Sequence, residues 1–142
     1  MTYDRENVPG RKGGLMMYDR TKAIQRFRAM WEWMANKTEE YKRKVSKFEY
    51  FRENNFDALE IPMHYCFLCE YADDQFFYKG GNDDCEYCPI DFGFERCTGE
   101  GETEDGVPLS VYDRWYWCEK EDWQEAARLC REIARLPEKE DA

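Results

Sequence analysis

Cys66-Phe67-Leu68-Cys69 and, after residues 70–84, Cys85-Glu86-Tyr87-Cys88 are the stretch on which the reading of the fold turns. Two C-x-x-C pairs separated by fifteen residues have the spacing of a structural zinc site. Each pair forms a tight turn that places two thiolates on one side. Two such turns close a tetrahedron of sulfurs at about 2.3 Å from the metal. The expected ligands of Zn2+ are therefore Cys66, Cys69, Cys85 and Cys88. Four thiolates leave no open coordination position, so the zinc would be structural and not hydrolytic. A thioredoxin-like redox pair is disfavoured at Cys85–Cys88, because the following Pro89-Ile90-Asp91-Phe92-Gly93 does not read as a helix start.

Three other residues bear on this site. Cys97, nine residues past Cys88, is an alternative fourth ligand or a free thiol packed nearby. His64, two residues before Cys66, is a weaker candidate, since a lone histidine more often serves as an ordinary hydrogen-bonding group. Cys130 falls on an apolar helix face and reads as a small core residue. Cys118 has no assigned role.

Outward from the cysteines the chain divides into three. Residues 56–108 hold five of the seven cysteines and six of the nine glycines, with short apolar runs Ile61-Pro62-Met63 and Phe76-Phe77-Tyr78, and predict short strands and loops. Upstream, Asp19 or Thr21 caps a helix in which Ile24, Phe27, Trp31 and Met34 recur at helical spacing, ending near Asn36. Thr38 with Glu39 and Glu40 then starts a second helix that Asn54-Asn55 closes, giving a helical hairpin over residues 18–55, or one long bent helix. Downstream, a short helix over Ser110–Trp117 precedes a longer one from Asp122 that stops before Pro137. Residues 1–17 read as a flexible arm and 138–142 as a frayed end. The expected architecture is one domain over 18–142, mainly α with few short strands. It joins the hairpin, a small four-cysteine zinc module with zinc-ribbon or treble-clef-like knuckles, and the C-terminal helices of 109–137.

The order Cys66-x-x-Cys69, Cys85-x-x-Cys88-Pro89, Cys97, a Trp-containing helix and a terminal Ala-rich helix resembles small uncharacterised zinc-binding proteins of bacteriophages and prophages. The resemblance covers roughly residues 64–136 and leaves the N-terminal helices unaccounted for. It implies a phage origin and an accessory role in the cytoplasm of a bacterial host. It supplies no catalytic residue.

Composition bounds the rest. Leu, Ile, Val and Phe make up only 23 of the 142 residues, against 24 aromatics, so the core is expected to be largely aromatic with a small aliphatic part. No run of about 18 apolar residues is present, so no membrane span is expected. The charged N-terminus lacks the apolar stretch of a secretory signal, which points to the cytoplasm and to metal rather than disulfides for the cysteines. The formal charge is −10. It is divided unevenly: +5 over residues 1–56, −12 over 57–108 and −3 over 109–142.

This polarity gives two binding expectations. Asp73, Asp74, Asp83 and Asp84 flank the zinc loop, and with the acids of 100–105 they read either as a solvated surface or as a face for a basic host protein, a mimic of nucleic-acid phosphate that inhibits, for example, a defence nuclease. Lys42, Arg43, Lys44 and Lys47, with aromatics beside them, read as a solvated helix face or as a nucleic-acid surface. The leading expectation is protein–protein interaction and the alternative is nucleic-acid binding. No nucleophile–base set, phosphate-binding loop or dinucleotide fingerprint is present, so the chain reads as a non-enzyme.

Overall fold

The structure is a computed structural model that describes residues 19–62, 65–81, 84–93 and 110–140. Its elements are five α-helices and a 3₁₀ turn: α1 Arg20–Tyr41, α2 Lys47–Glu53, α3 Phe67–Lys79, the 3₁₀ turn Asp84–Tyr87, α4 Val111–Trp117 and α5 Trp123–Ala134. The fold is mainly helical, and no strand occurs among the described residues.

The periodic residues of the first helix work as expected, but the helix is longer. Asp19 caps it, its carboxylate accepting the Lys22 N–H at 2.7 Å. Ala23, Met30 and Ala35 join Ile24, Phe27, Trp31 and Met34 in the core, so the buried stripe is wide enough to serve more than one neighbour. The helix does not stop near Asn36. Thr38 lies inside it, fully buried, and its hydroxyl accepts the Val45 N–H at 3.4 Å. The chain turns instead at Lys42, whose φ of 54° is left-handed. The second helix begins at Ser46 with a capping box: the Ser46 hydroxyl accepts the Glu49 N–H, and the Glu49 carboxylate accepts the Ser46 N–H. The hairpin thus has one long arm and a seven-residue short one.

A second correction concerns the centre. Phe76-Phe77-Tyr78, expected as a strand, is the last part of α3. Gly80-Gly81 then turns the chain into the 3₁₀ segment. Gly81 has a φ of 138°, and a Cβ there would sit 2.9 Å from a Glu86 carboxylate oxygen, so only glycine fits without movement. Tyr87 donates its hydroxyl to the Gly80 carbonyl and closes this turn.

Helices α1 and α5 form the main packed pair and run antiparallel. Arg131 meets Glu39 at 2.5 Å, Arg135 meets Glu32 at 3.1 Å, and Arg28 reaches the Leu136 carbonyl at 3.0 Å, so partners descend α1 as they climb α5. Beneath these exposed ion pairs lie Ala126, Leu129, Cys130, Ile133 and Ala134. The short helix α4, expected over Ser110–Trp117, is capped by Ser110 and drives Trp115 into the same core. A second aromatic group, Tyr50, Phe51, Phe56 and Phe67, joins α2 to the start of α3, with ring centroids 5.0–6.3 Å apart. The core is aromatic at both ends, and all five helices contribute to it.

The fraying expected from Glu138 onward is overturned at Glu138 and Lys139. Residues 137–139 lie against 89–91: Asp91 N–H donates to the Pro137 carbonyl at 2.9 Å and Lys139 N–H to the Pro89 carbonyl at 2.8 Å. Arg20 adds bonds to the Glu138 carboxylate and the Lys139 carbonyl. The arm of 1–17 lies outside the described residues.

Candidate functional site

The first cysteine pair is built by a helix start. Cys66 occupies the N-cap of α3 with extended backbone (φ −141°), and Cys69 lies in the first turn. The Cys66 thiol is drawn down to about 6, chiefly by a hydrogen bond from Cys69 and then by the Lys47 ammonium beside it. Lys47 is correspondingly held above the ordinary lysine value: burial, the largest single effect, lowers it, but Cys66, Tyr112 and Cys69 together outweigh burial. Its ammonium also lies 4.5 Å from the Tyr112 ring centroid.

The second pair sits on the 3₁₀ turn. Cys88 N–H donates to the Cys85 carbonyl at 3.2 Å, and the Cys88 thiol faces the Ile90 carbonyl at 3.8 Å. Lys139 reaches the Cys85 carbonyl at 3.4 Å, so the C-terminal segment braces this turn. Each pair therefore has the local turn that a zinc site needs. Among the described residues, however, no three His, Cys, Asp or Glu side chains are grouped closely enough to hold a metal ion. Cys66 and Cys69 come together; Cys85 and Cys88 do not complete a tetrad with them. The alternative ligands Cys97 and His64 lie outside the described residues. It is the first pair, not the second, that opens a helix, a point the residues after Cys88 could not reveal.

The acidic candidates are divided. Asp74 is only 4% exposed and cannot present its charge to a partner surface, which removes it from the expected acidic face. It lies one turn beyond Glu70, itself 2% exposed, on one side of α3. Asp73 is half-buried. Asp83 and the acids of 100–105 lie outside the described residues, and Asp84 stands at the start of the 3₁₀ turn.

The basic candidates are largely engaged within the molecule. Arg43 makes a two-pronged pair with Glu49 at 2.7 and 3.1 Å. Lys44 donates to the carbonyls of Tyr116 at 2.8 Å and Cys118 at 3.2 Å, with its ammonium 4.5 Å from the Trp115 ring centroid, and burial lowers its pKa. Lys47 sits against Cys66 and Tyr112. Lys42 is exposed at the helix end.

Sequence reasoning missed the other side of this region. Val111-Tyr112-Asp113-Arg114-Trp115-Tyr116-Trp117 turns Trp115 inward and leaves Tyr116 and Trp117 outside, 57% and 69% exposed. Those two rings meet edge to face at 5.2 Å. Glu119, Glu121 and Asp122 follow, all exposed. The signal was present as three aromatics in consecutive positions, of which one helix face can bury only part. Between α4 and residues 43–49 lies a cavity of about 560 Å³. Cys118 borders it, its thiol 3.5 Å from the Asp122 carbonyl and its pKa raised by partial burial. Cys130 is a core residue, as its helical position indicated: it is fully buried and its thiol is pushed up to about 12. Among the described residues no helix is long and apolar enough to cross a membrane. Compared with protein-family models, with curated proteins and with solved structures, the chain matches none.

Proposed function

We propose that the chain is a non-enzymatic interaction module that docks on a basic protein surface through Tyr116 and Trp117. The observation that carries this reading is the outward pair itself: two large rings left in solvent on a seven-residue helix whose Trp115 is in the core. Tryptophan and tyrosine are the residues that most often anchor protein interfaces. The exposed Glu119, Glu121 and Asp122 beside them suit arginine and lysine on the partner, which rings and carboxylates bind together. This moves the acidic face from Asp73 and Asp74 to the end of α4. A structural Zn2+ held by Cys66, Cys69, Cys85 and Cys88 is part of the proposal; its chemistry would be to cross-link α3 to the 3₁₀ turn. The resemblance to phage proteins makes inhibition of a bacterial host protein, such as a nucleic-acid-processing defence enzyme, the form this binding would take.

The test is capture from a bacterial lysate with the wild-type chain and with Trp117→Ala, followed by calorimetry on the purified captured protein. The expected result is at least a tenfold loss of affinity in Trp117→Ala, with Lys42→Glu unchanged. Capture of DNA or RNA that Lys42→Glu abolishes and Trp117→Ala leaves intact would replace this reading with the nucleic-acid one.

A further inference from the structure

We infer that the cleft between residues 43–49 and α4 is a binding site for a planar, phosphate-bearing small molecule of the nucleoside monophosphate class. Its volume, about 560 Å³, falls in the range of small-molecule sites, about 300–1,000 Å³. Its charge is opposite to that of the chain. The lining carries four cations, Arg43, Lys44, Lys47 and Lys120, against two carboxylates, Glu49 and Glu119, in a protein of net −10. Glu49 is already taken by Arg43 and Lys47 sits against Cys66, which leaves Lys44 and Lys120 facing Glu119. A concave site of one sign focuses its potential and draws an anion of the other.

Two features of the lysines suit phosphate. Lys44 is held in place by two backbone carbonyls, so its ammonium is positioned before any ligand arrives. An ammonium has three N–H donors, and the third has no acceptor among the described residues. Lys120 stands exposed on the opposite lip. Its backbone is tied across the cleft, where the Lys44 N–H donates to the Lys120 carbonyl at 3.2 Å.

The walls suit a planar ring. Phe48, Tyr112, Trp115 and Tyr116 line the cleft, and Phe48 and Tyr116 keep 53% and 57% of their surface exposed. Bases stack on such rings whatever their identity. A mononucleotide is favoured over a strand because exposed carboxylates stand beside the cleft. The arginine row of α5, Arg128, Arg131 and Arg135, is paired with Glu125, Glu39 and Glu32. Glu119 and Glu121 would meet the neighbouring phosphates of a longer chain. Tyr116 and Glu119 belong to both the cleft and the protein-docking surface, but Trp117 does not line the cleft, so Trp117 is the position that tells the two apart.

The test is calorimetric titration of the full chain with each of the four ribonucleoside 5′-monophosphates, adenosine, inorganic phosphate and a twelve-residue oligothymidylate. The expected result is saturable binding of at least one monophosphate at one per chain, with the nucleoside and phosphate each weaker by tenfold or more. Lys120→Glu and Tyr116→Ala should each weaken that binding roughly tenfold, the size of one charged contact or one stacked ring. Both are exposed positions, and circular dichroism checks that the fold is kept. Trp117→Ala should leave the binding unchanged. The proposal is overturned if no monophosphate binds, if phosphate alone binds as tightly, if neither variant weakens binding, or if only the oligothymidylate binds.

Discussion

Trp31 and Trp115 meet edge to face, with ring centroids 4.8 Å apart and planes at 86°. One belongs to the longest helix and the other to one of the shortest, and the contact helps to hold α4, which packs on α5, against the body of the protein. A seven-residue helix has little stability of its own. Its position rests on this ring, on Val111 and on the Lys44 ammonium over the outer face of Trp115. Trp115→Ala should therefore cost about 3–5 kcal/mol in denaturant unfolding, as for a buried tryptophan in a packed core. Trp115→Phe should cost much less. Equal losses in the two would show that the ring's volume is not what α4 needs.

The C-terminal segment should behave as structure and not as a tail. Removing residues 137–142 deletes two backbone hydrogen bonds to 89–91 and the Arg20 contacts to Glu138 and Lys139. The expected outcome is a lower melting temperature and faster hydrogen exchange at Asp91, whose N–H loses its acceptor. An unchanged exchange rate at Asp91 would count against the pairing.

How much of this was legible in the sequence depends on whether one physical signal acted alone. In α1 it did: Ile24, Phe27, Trp31 and Met34 repeat at helical spacing and all four are buried. The helix end was misplaced because Thr38 looks like an N-cap, yet here its hydroxyl serves the Val45 amide from inside the helix. Helix α3 was not legible. It buries Glu70 and Asp74 along with Phe67 and Leu68, so no clean apolar stripe marks it. The cysteine spacing was legible as two turns, and both turns are present. Which face each turn presents depends on α3 being a helix, and that depends on burial the spacing does not encode. The cleft was invisible for a related reason: most of its cations lie on one segment and most of its rings on another some 70 residues later, as the Lys44–Tyr116 separation of 72 shows.

The metal proposal predicts a change in stability as well as in composition. Protein prepared with zinc should carry one equivalent per chain by elemental analysis. Cys69→Ser and Cys88→Ser should each abolish it, because a tetrahedral thiolate site does not survive loss of a ligand. Chelation should lower the melting temperature, since the binding energy is also folding energy. Metal-free protein with a cooperative melt insensitive to chelator would sink the proposal. Loss of zinc in Cys97→Ser with Cys88→Ser unaffected would exchange one ligand for the other.

Cys130 supplies a pH test of the core. Burial on α5 raises its thiol from the ordinary 9 to about 12, so the folded protein keeps this proton where the unfolded chain releases it. Between those two values the unfolded state binds fewer protons than the native state, and stability must fall as pH rises. The contribution is complete below about pH 9 and is lost progressively up to about pH 12. Its slope cannot exceed about 1.4 kcal/mol per pH unit for one group. Lysines and tyrosines ordinarily titrate in the same window, so the decisive quantity is the difference between the wild type and Cys130→Ala, measured by urea unfolding at intervals from pH 7.5 to 10.5. Cys130→Ala should be less stable at neutral pH through lost packing, and its stability should fall less steeply above pH 9. Parallel curves would show that the Cys130 thiol ionises as readily in the folded protein as in the unfolded chain, and that it is not sealed in the core. Thiol alkylation at pH 8 gives an independent reading: Cys130 should react only at the rate of global unfolding, while the half-exposed Cys118 reacts faster.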